Sequence, residues 1–225
     1  MTTSQLRCLS EYESKNVLRK YNIPLAAETL VNGVDDALVF ADKTGYPLVM
    51  KVDSPDIPHK TDAGIVKLNI CDADSVRMAY AEILQKAKDY NPEAKINGVL
   101  VQEMVTNGTE VIIGMKNDAQ FGPTLMFGLG GIFVEVMKDV SLRIAPVTKR
   151  EAMEMLQDTK GFRILQGIRG SKPSDITALC ETLVKISHMV VEQKDRIIEL
   201  DLNPVLVLPE GQGVKVVDAL IVEKD

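Results

Sequence analysis

The sequence predicts an α+β protein built as two lobes with mostly antiparallel sheets. Segments that read as strands outnumber helical segments, and their order is not a regular alternation of strand and helix. The 225 residues, 45% of them hydrophobic, suffice for one large domain or two small ones. We expect a first lobe over residues 1–101 and a second over residues 102–225, because the sequence becomes strand-rich near Gln102.

Apolar periodicity and chain-breaking residues define the elements of the first lobe. A helix is expected where apolar residues recur at helical spacing, and it ends at Pro, Gly or Asn-Pro. An aspartate, Asp72 or Asp74, can cap the longest of these helices. The predicted helices cover residues 10–21, 35–41 and 71–90, and the predicted strands cover residues 28–31, 47–52 and 65–70.

The second lobe reads as a run of strands with two helices. The pattern Thr148-Lys-Arg-Glu151 is a capping box that opens one helix, and Ser174 or Asp175 caps the other. The predicted helices end near residues 156 and 191, and the predicted strands cover residues 98–105, 110–116, 124–128, 132–137, 142–147, 197–208 and 214–222.

Composition and charge exclude several classes of protein. The net charge is −6 and no Lys/Arg cluster stands out, which argues against a nucleic-acid or anionic-membrane surface. No apolar run approaches the ~18–20 residues of a membrane span, and the polar N-terminus lacks the apolar core of a signal peptide. The three cysteines are scattered and form no CxxC, so we expect reduced thiols in a cytoplasmic protein.

The stretch from residue 47 to 70 joins two predicted strands through a proline-broken polar loop. Lys51 ends the first strand, and a lysine there is either a solvated strand end or a point charge that meets a phosphate. His59 lies on the loop, where surface or capping work is the alternative to accepting a phosphoryl group on a ring nitrogen. The lysine, the histidine and the following Gly64 together predict phosphate handling.

Residues 101–104 end a strand before the turn at Asn107-Gly108. Such a junction exposes backbone N–H and C=O groups, which can read the edge of an adenine ring. Glu110 follows Glu103 by seven residues and can accept hydrogen bonds from ribose hydroxyls. For either glutamate a solvated strand end is the alternative.

Two further features precede the first capping box. The glycine cluster at residues 127–131 matches neither GxGxxG nor GxxxxGK[ST], and a strand rather than a helix is predicted to follow it. We therefore expect these glycines to permit unusual backbone angles and the close approach of a ligand or loop. Arg143 lies among apolar residues and requires a carboxylate or phosphate partner.

A group of oxygen-bearing side chains marks the last predicted hairpin. Glu199, Asp201 and Asn203 alternate with leucines and share one face of a strand. The alternative to a metal site is an ordinary half-exposed strand. Hard oxygen ligands of this kind, completed by phosphates and water, suit Mg²⁺, and Asp218 on the returning strand can join them. A symmetric hairpin about Gly211 aligns Asn203 with the residue after Asp218, so the register needs a shift or a bulge.

Taken together, these residues resemble the ATP-grasp fold. More narrowly, the chain resembles the β subunit of the ADP-forming acetyl-CoA synthetases, which are relatives of succinyl-CoA synthetase. The resemblance runs nearly end to end through four segments: SEYESKNVLRKYNIP, GYPLVMKVDSPDIPHKTDAGIVKL, EVIIGMKNDAQFGPTLMFGLGGIFVEVMKDVSLRIAPV and ELDLNPV. The second and third of these segments are highly specific. The chain departs from the family at Ala63-Gly64-Ile65, where many relatives have two adjacent glycines.

The resemblance implies a nucleotide, ATP or ADP, bound between the two lobes with Mg²⁺. It implies that His59 shuttles a phosphoryl group between the nucleotide and a histidine on a CoA-binding α subunit. The implied nucleotide contacts are Lys51 and Arg143 at the phosphates, Gln102, Glu103 and Met104 at the adenine and Glu110 at the ribose, and the implied Mg²⁺ ligands are Asp201, Asn203 and Asp218.

The resemblance therefore implies the β subunit of an ADP-forming acetate–CoA ligase. Acetyl-CoA, ADP and phosphate would be converted reversibly to acetate, CoA and ATP, in an α₂β₂ assembly. Two alternatives stay open. One is another ATP-grasp ligase, such as a succinyl-CoA synthetase β chain or a carboxylate–amine ligase, and the other is a non-catalytic nucleotide sensor or scaffold.

Overall fold

The computed structural model describes residues 6–57, 64–131, 134, 136–168 and 170–224. The chain folds into two compact units, each with its own sheet and hydrophobic core. The smaller unit comprises Ser10–Glu13 and Ala26–Met104, and the larger unit comprises Ser14–Leu25, the segment up to Leu9 and the chain from Val105 onward.

This division differs from the expected boundary at residues 101/102 in two ways. The smaller unit ends at Met104, three residues later, because Met104 N–H still bonds to Pro47 O at 3.1 Å. Most of the N-terminal segment counts with the larger unit, because β1 (Leu6–Cys8) pairs with the last strand of the chain. In addition, Leu18 lies in the larger unit's core.

The smaller unit is a four-stranded antiparallel sheet with two helices on one face. Alternate residues of its central strand, Leu48, Met50 and Val52, pack under the helices, and the other alternate residues face away from them. Asp72 caps the longer helix, as predicted, by accepting a hydrogen bond from Ser75 N at 2.7 Å. The elements are β2 (Glu28–Val31), α2 (Val34–Thr44), β3 (Leu48–Asp53), β4 (Val66–Ile70), α3 (Ala73–Tyr90) and β5 (Gly98–Glu103), in the sheet order β2-β5-β3-β4.

The larger unit is a seven-stranded sheet with helices packed on one face, which we call the helix-side face. The predicted capping box at Thr148 and Glu151 is present at the start of the helix Lys149–Gln157. The elements, besides β1 and the part of the helix α1 (Glu11–Lys20) that follows Glu13, are β6 (Thr109–Asp118), β7 (Gly122–Leu129), β8 (Val140–Ile144), α4 (Lys149–Gln157), α5 (Phe162–Leu165), α6 (Ile176–Glu192), β9 (Ile197–Val207), β10 (Val214–Val216) and β11 (Leu220–Lys224). The sheet order is β1-β11-β9-β6-β7-β8, with β10 also on β9.

Two predicted strands of the larger unit differ from the structure. The strand expected over residues 132–137 is not formed by its described residues, because the chain turns at Gly131, with φ +62°, and Val134 N–H bonds back to Gly131 O at 3.2 Å. The strand expected over residues 214–222 is interrupted at residues 217–219, which separate β10 from β11.

The structure also describes the apolar helices and the cysteines. Within the described ranges, no helix is long and apolar enough to span a membrane. Cys8, Cys71 and Cys180 are free thiols, and burial raises the pKa of the Cys180 thiol to about 11.

Candidate functional site

The larger sheet carries its polar candidates on the face opposite the helices, which we call the outer face. Leu200 and Leu202 of β9 are buried in the helix-side core, whereas Asp201 between them is half-buried on the outer face. Asn203 is exposed on the outer face, and Glu110 of β6 is exposed on it as well. The alternation predicted from the sequence therefore holds, and it gathers oxygen-bearing side chains on one surface.

The register of the last hairpin brings Asp218 level with Asn203. Val207 pairs with Val214, one residue away from the symmetric pairing about Gly211, and the same register returns where Asp201 pairs with Leu220. Across the interruption, Val217 N–H donates to Pro204 O at 3.1 Å. The required shift is thus present.

A bulge in β9 at Asn203 and Pro204 returns Val205 to the helix-side core. Val111 of β6 pairs with Val205 and Ile113 pairs with Leu202, so Asn203 and Pro204 together oppose one residue of β6. Pro204 has no N–H and cannot donate to the neighbouring strand, which favours a bulge at this position. Both flanking apolar residues remain in the core as a result.

The carboxylates of this surface influence one another. Burial is the main cause that raises the pKa of Asp201, and the nearby charges of Asp218 and Glu199 raise it further. Within the described part of the chain, no cluster of three or more His, Cys, Asp or Glu side chains has the geometry of a metal site. Two carboxylates and the Asn203 amide oxygen nevertheless fit a Mg²⁺ ion that takes its remaining ligands from phosphates and water.

A cavity of about 550 Å³ adjoins Asp201 on the outer face. It extends from Asp201 toward the β6–β7 turn, and Glu110 lies at the other end of β6. Gly114 lines the cavity opposite Asp201, and an added Cβ there would lie 3.1 Å from Met126 Cε. The lining combines apolar and charged side chains: Gly114, Met115, Lys116, Asp118, Phe121, Thr124, Met126, Leu142, Glu199, Leu200 and Asp201.

Arg143 does not join this surface. It pairs with Leu125 in the β7–β8 ladder and therefore lies on the helix-side face, away from Asp201. Its guanidinium forms an ion pair with Asp158 and donates to Ser141 Oγ at 3.2 Å. The partner that the sequence required for this arginine is thus a carboxylate of the same unit.

In the smaller unit, Lys51 lies on β3 with its side chain buried. Its Nζ is 2.5 Å from Glu11 Oε1, and the two side chains are 4% and 1% exposed. Gln102 lies on the same face of the sheet, since it pairs with Val49, and its Nε2 donates to Glu28 Oε2 at 3.1 Å. The structure therefore groups two of the predicted nucleotide contacts on one face.

The segment after Gln102 is fixed by hydrogen bonds within the smaller unit. Glu103 N–H donates to Ala27 O at 2.9 Å, and Glu103 Oε1 accepts from Ala27 N–H at 2.7 Å. Met104 N–H is bonded to Pro47 O. A ligand that reads this segment would therefore have to use its other backbone groups.

One predicted site residue lies outside the described part of the chain, and one residue that contacts the site was not predicted. His59 lies outside the described residues, so its predicted role stays a prediction; Gly64, which follows it, has φ +65°, a conformation that favours glycine. Glu11 was not among the predicted site residues, although it contacts Lys51. The sequence signals only that Glu11 follows Ser10 in an S-x-x-E pattern at a helix start.

Comparison with known proteins places this geometry in a family. The model of the ATP-grasp domain matches residues 1–222. The β subunit of acetate–CoA ligase [ADP-forming] II of Pyrococcus furiosus is 48% identical over 214 residues, which cover 95% of this chain and 91% of that one. The chain belongs to the ATP-grasp family and, within it, to the ADP-forming acetate–CoA ligase β subunits. The predictions of an α+β ATP-grasp fold and of an acid–thiol ligase are confirmed.

Two further family members differ in length or carry ligands. The 4-hydroxybutyrate–CoA ligase [ADP-forming] of Nitrosopumilus maritimus is 47% identical over 213 residues, which cover 95% of this chain but only 30% of that longer one. An acetyl-coenzyme A synthetase of Ca. Korarchaeum cryptofilum, solved with coenzyme A and Ca-AMPCP, is 43% identical with a TM-score of 0.92, over 97% of this chain and 94% of that one. Another structure of that synthetase contains Mg-AMPPCP and a phosphohistidine segment that points towards the nucleotide-binding site.

Proposed function

We propose that this chain is the nucleotide-binding β subunit of an ADP-forming ligase that interconverts acetyl-CoA, ADP and phosphate with acetate, CoA and ATP. The observation that carries the proposal is the near-complete match to the β subunit of Pyrococcus furiosus, since it includes almost the whole of both chains. A family member named for 4-hydroxybutyrate is almost as similar. The choice of acetate is therefore tested by comparing the two acids in the assembled enzyme.

We infer that the activity depends on a CoA-binding α subunit. The relative of Nitrosopumilus maritimus contains this domain as 30% of its length, so the rest of such a chain has room for the CoA and acyl chemistry. Co-purification tests this point: a CoA-binding protein should co-elute with the tagged chain, and an α₂β₂ complex should have the mass of two copies of each. Acyl-CoA turnover by the chain alone would contradict it.

The nucleotide roles follow from the two surfaces described above. Lys51 supplies a cation to the phosphates, and the segment from Gln102 to Met104 contacts the adenine. Glu110 accepts hydrogen bonds from the ribose. We do not assign Arg143 to the phosphates, because its guanidinium is bound to Asp158 on the other face of the sheet.

The metal role belongs to Asp201, Asn203 and Asp218. Their oxygen atoms are of the hard type that Mg²⁺ prefers. Burial and the neighbouring carboxylates raise the pKa of Asp201, and a bound cation would lower the electrostatic cost of its negative charge. A bound Mg²⁺ would neutralise charge on the transferring phosphate.

His59 is proposed as the phosphoryl carrier. A bond forms between a ring nitrogen and the γ-phosphorus of ATP, the bond from that phosphorus to the β–γ bridging oxygen breaks, and ADP leaves. The phosphoryl group then passes to the α subunit and returns His59 to its starting form. Acyl phosphate, phosphohistidine and ATP are all high-energy phosphoryl donors, so the sequence of steps is reversible.

Labelling with [γ-³²P]ATP and Mg²⁺ tests the carrier. We expect acid-labile label on the purified chain, its loss in His59→Asn, and its retention in His188→Asn, which changes the other histidine of the chain, on the exposed side of α6. Nucleotide binding without label would favour the non-catalytic sensor. Full overall activity of the His59→Asn enzyme would favour an ATP-grasp ligase that needs no carrier on this chain.

A further inference from the structure

Glu11 forms a buried ion pair with Lys51, but none of the proposed roles includes Glu11. Glu11 is the first residue of α1 and Lys51 is the fourth of β3, and their charged atoms are 2.5 Å apart with almost no exposure. An ammonium and a carboxylate at such depth are tolerated because each neutralises the other. Lys51 is also the residue proposed to bind the nucleotide phosphates, so its ion pair with Glu11 can influence that binding.

Glu11 is held by the local structure of the helix start. Ser10 N–H donates to Glu13 Oε2 at 2.9 Å, and Glu13 N–H donates to Ser10 Oγ at 3.3 Å, so the two residues form a reciprocal cap. This cap fixes the backbone on both sides of Glu11. The carboxylate therefore projects from a rigid turn.

The same turn is attached to β3 at a second point. Tyr12 N–H donates to Asp53 Oδ1 at 2.9 Å, and the other oxygen of Asp53 accepts from Asn97 Nδ2 at 2.9 Å. Asp53 is 1% exposed and lies two residues after Lys51, on the same face of the strand. Two adjacent residues of the helix start thus bind two alternate residues of β3, which fixes the distance between Glu11 and the stem of Lys51.

A contact that orders the side chain in the free protein is especially useful for a lysine. Its ammonium is a compact charge on a flexible four-carbon stem, and ordering that stem costs conformational entropy each time a ligand is bound. A contact that orders the stem in the free protein removes this cost from the binding step. An ammonium has three N–H donors, so one lysine can donate to a carboxylate and to a phosphate oxygen at the same time.

We propose that Glu11 is a positioning residue that holds the Lys51 ammonium in place for the nucleotide phosphates. The inference rests on the proposed role of Lys51 in phosphate binding. Glu11 acts through Lys51 and does not itself contact the nucleotide. The acidic start of α1 is thus part of the phosphate machinery, although it lies forty residues before the lysine in the sequence.

A double-mutant cycle on the full-length chain separates positioning from simple stabilisation. The variants are Glu11→Gln, Lys51→Met and the double variant, with Glu82→Gln as a charge-matched control at an exposed ion pair of the same unit. The readouts are the Kd of Mg–ATP by calorimetry, the rate of ³²P transfer to the chain and the Tm.

We expect Glu11→Gln to weaken Mg–ATP binding by up to about tenfold, the cost of ordering one long side chain. The transfer rate should fall by about a hundredfold, as for a misplacement of about 1 Å. In the Lys51→Met background, Glu11→Gln should change neither quantity further. Glu11→Asp, which keeps the charge on a shorter stem, should fall between wild type and Glu11→Gln, and it replaces Glu11→Gln if that variant does not fold.

Three results would overturn the proposal or its premise, each in a distinct way. Binding and transfer at wild-type levels in Glu11→Gln with a lowered Tm would make Glu11 a structural counter-ion only. An equal further loss in the Lys51→Met background would mean that Glu11 acts independently of Lys51. Wild-type binding by Lys51→Met itself would refute the phosphate role of the lysine and leave the cycle without a premise.

Discussion

The two units hold their candidate charges in opposite ways. In the smaller unit, Lys51 is buried and bonded to Glu11, and both side chains are nearly inaccessible. In the larger unit, Asp201 and Asp218 are half-buried on the outer face, and a cavity lies beside Asp201. Burial raises the pKa of Asp201, and the charge of Asp218 raises it further. The smaller unit presents a paired cation, and the larger unit presents two neighbouring carboxylates.

This contrast indicates which of the two sites has its charges compensated and its geometry fixed before a ligand binds. A buried charge with a partner at hydrogen-bond distance is compensated in the free protein, and its geometry is fixed. The pKa of Asp201 is raised by burial and by neighbouring negative charges, and a cation can lower the electrostatic cost of that carboxylate. We therefore expect the smaller unit to lose stability when its pair is broken, and the larger unit to gain stability when its charge is reduced or matched.

Breaking the buried pair should have the largest effect. Lys51→Met leaves the Glu11 carboxylate buried without its ammonium, which should lower the free energy of unfolding of the smaller unit by about 3–5 kcal/mol. Hydrogen exchange followed by mass spectrometry measures this, because it reports the opening of each unit separately. The amides of β3 should exchange faster.

The control for this variant is Lys67→Met on the neighbouring strand β4. Lys67 is 31% exposed and pairs with the 43% exposed Glu82, so its removal should cost at most about 1 kcal/mol. Equal exchange rates of the β3 amides in Lys51→Met and Lys67→Met would mean that burial of the first pair contributes nothing special.

Neutralising one carboxylate of the larger unit should weaken metal-dependent binding. Asp201→Asn should raise the Kd of Mg–ATP by at least about tenfold, the lower end of what losing even an outer contact costs a metal site. Titration calorimetry with and without Mg²⁺ measures the effect, which should be absent when EDTA replaces the metal. Asp195→Asn, an exposed aspartate of the same unit, is the matched control and should bind like the wild type.

Local features of both units could be predicted from the sequence. The caps at Asp72 and Thr148 follow from residue type and spacing, and the outer-face position of Asp201 and Asn203 follows from strand alternation. The sequence also indicated that Asp218 could come level with Asn203 only through a shift or a bulge, and the register contains that shift. These features depend on residues that are close in sequence or lie on strands joined by one turn.

Features that depend on distant residues could not be predicted. Glu11 and Lys51 meet because a helix start is bonded to a strand forty residues away, and neither residue carries a sign of that contact. Arg143 was assigned by residue type, but only the β7–β8 register shows that it faces Asp158. Among the described residues after Gly131, the expected strand is replaced by a turn, which outweighs the β propensity of Val134.

The helix caps test whether the two units differ in general stability or only at their candidate charges. Asp72→Ala in the smaller unit and Thr148→Ala in the larger one each remove a side-chain acceptor from a helix start. Each should cost about 1 kcal/mol, measured by hydrogen exchange in its own unit. Thr148→Ser keeps the hydroxyl and should cost less than Thr148→Ala. A much larger loss in one unit would mean that the units differ beyond their charges.

The pH dependence of stability should show the smallest effect, and the direction of that effect follows from the raised pKa of Asp201. The pKa of Asp201 is raised by burial and by neighbouring carboxylates, so the folded protein binds this proton more tightly than the unfolded chain does. The Asp201 carboxyl therefore reduces stability as the pH rises from about 4, the ordinary pKa of an aspartate, through its raised value. Without metal or nucleotide, Asp201→Asn should raise the Tm at neutral pH by about 1 °C, and the gain should vanish near pH 4.

Scanning calorimetry across this pH range measures the difference, and Asp195→Asn provides the baseline for losing an exposed negative charge. Addition of Mg–ATP should reverse the order of the two proteins at neutral pH, because the wild type gains a compensating cation and Asp201→Asn does not. A lower Tm for Asp201→Asn in the metal-free protein would mean that the carboxylate already has a favourable partner. The larger unit would then resemble the smaller one, with its site compensated before the ligand binds.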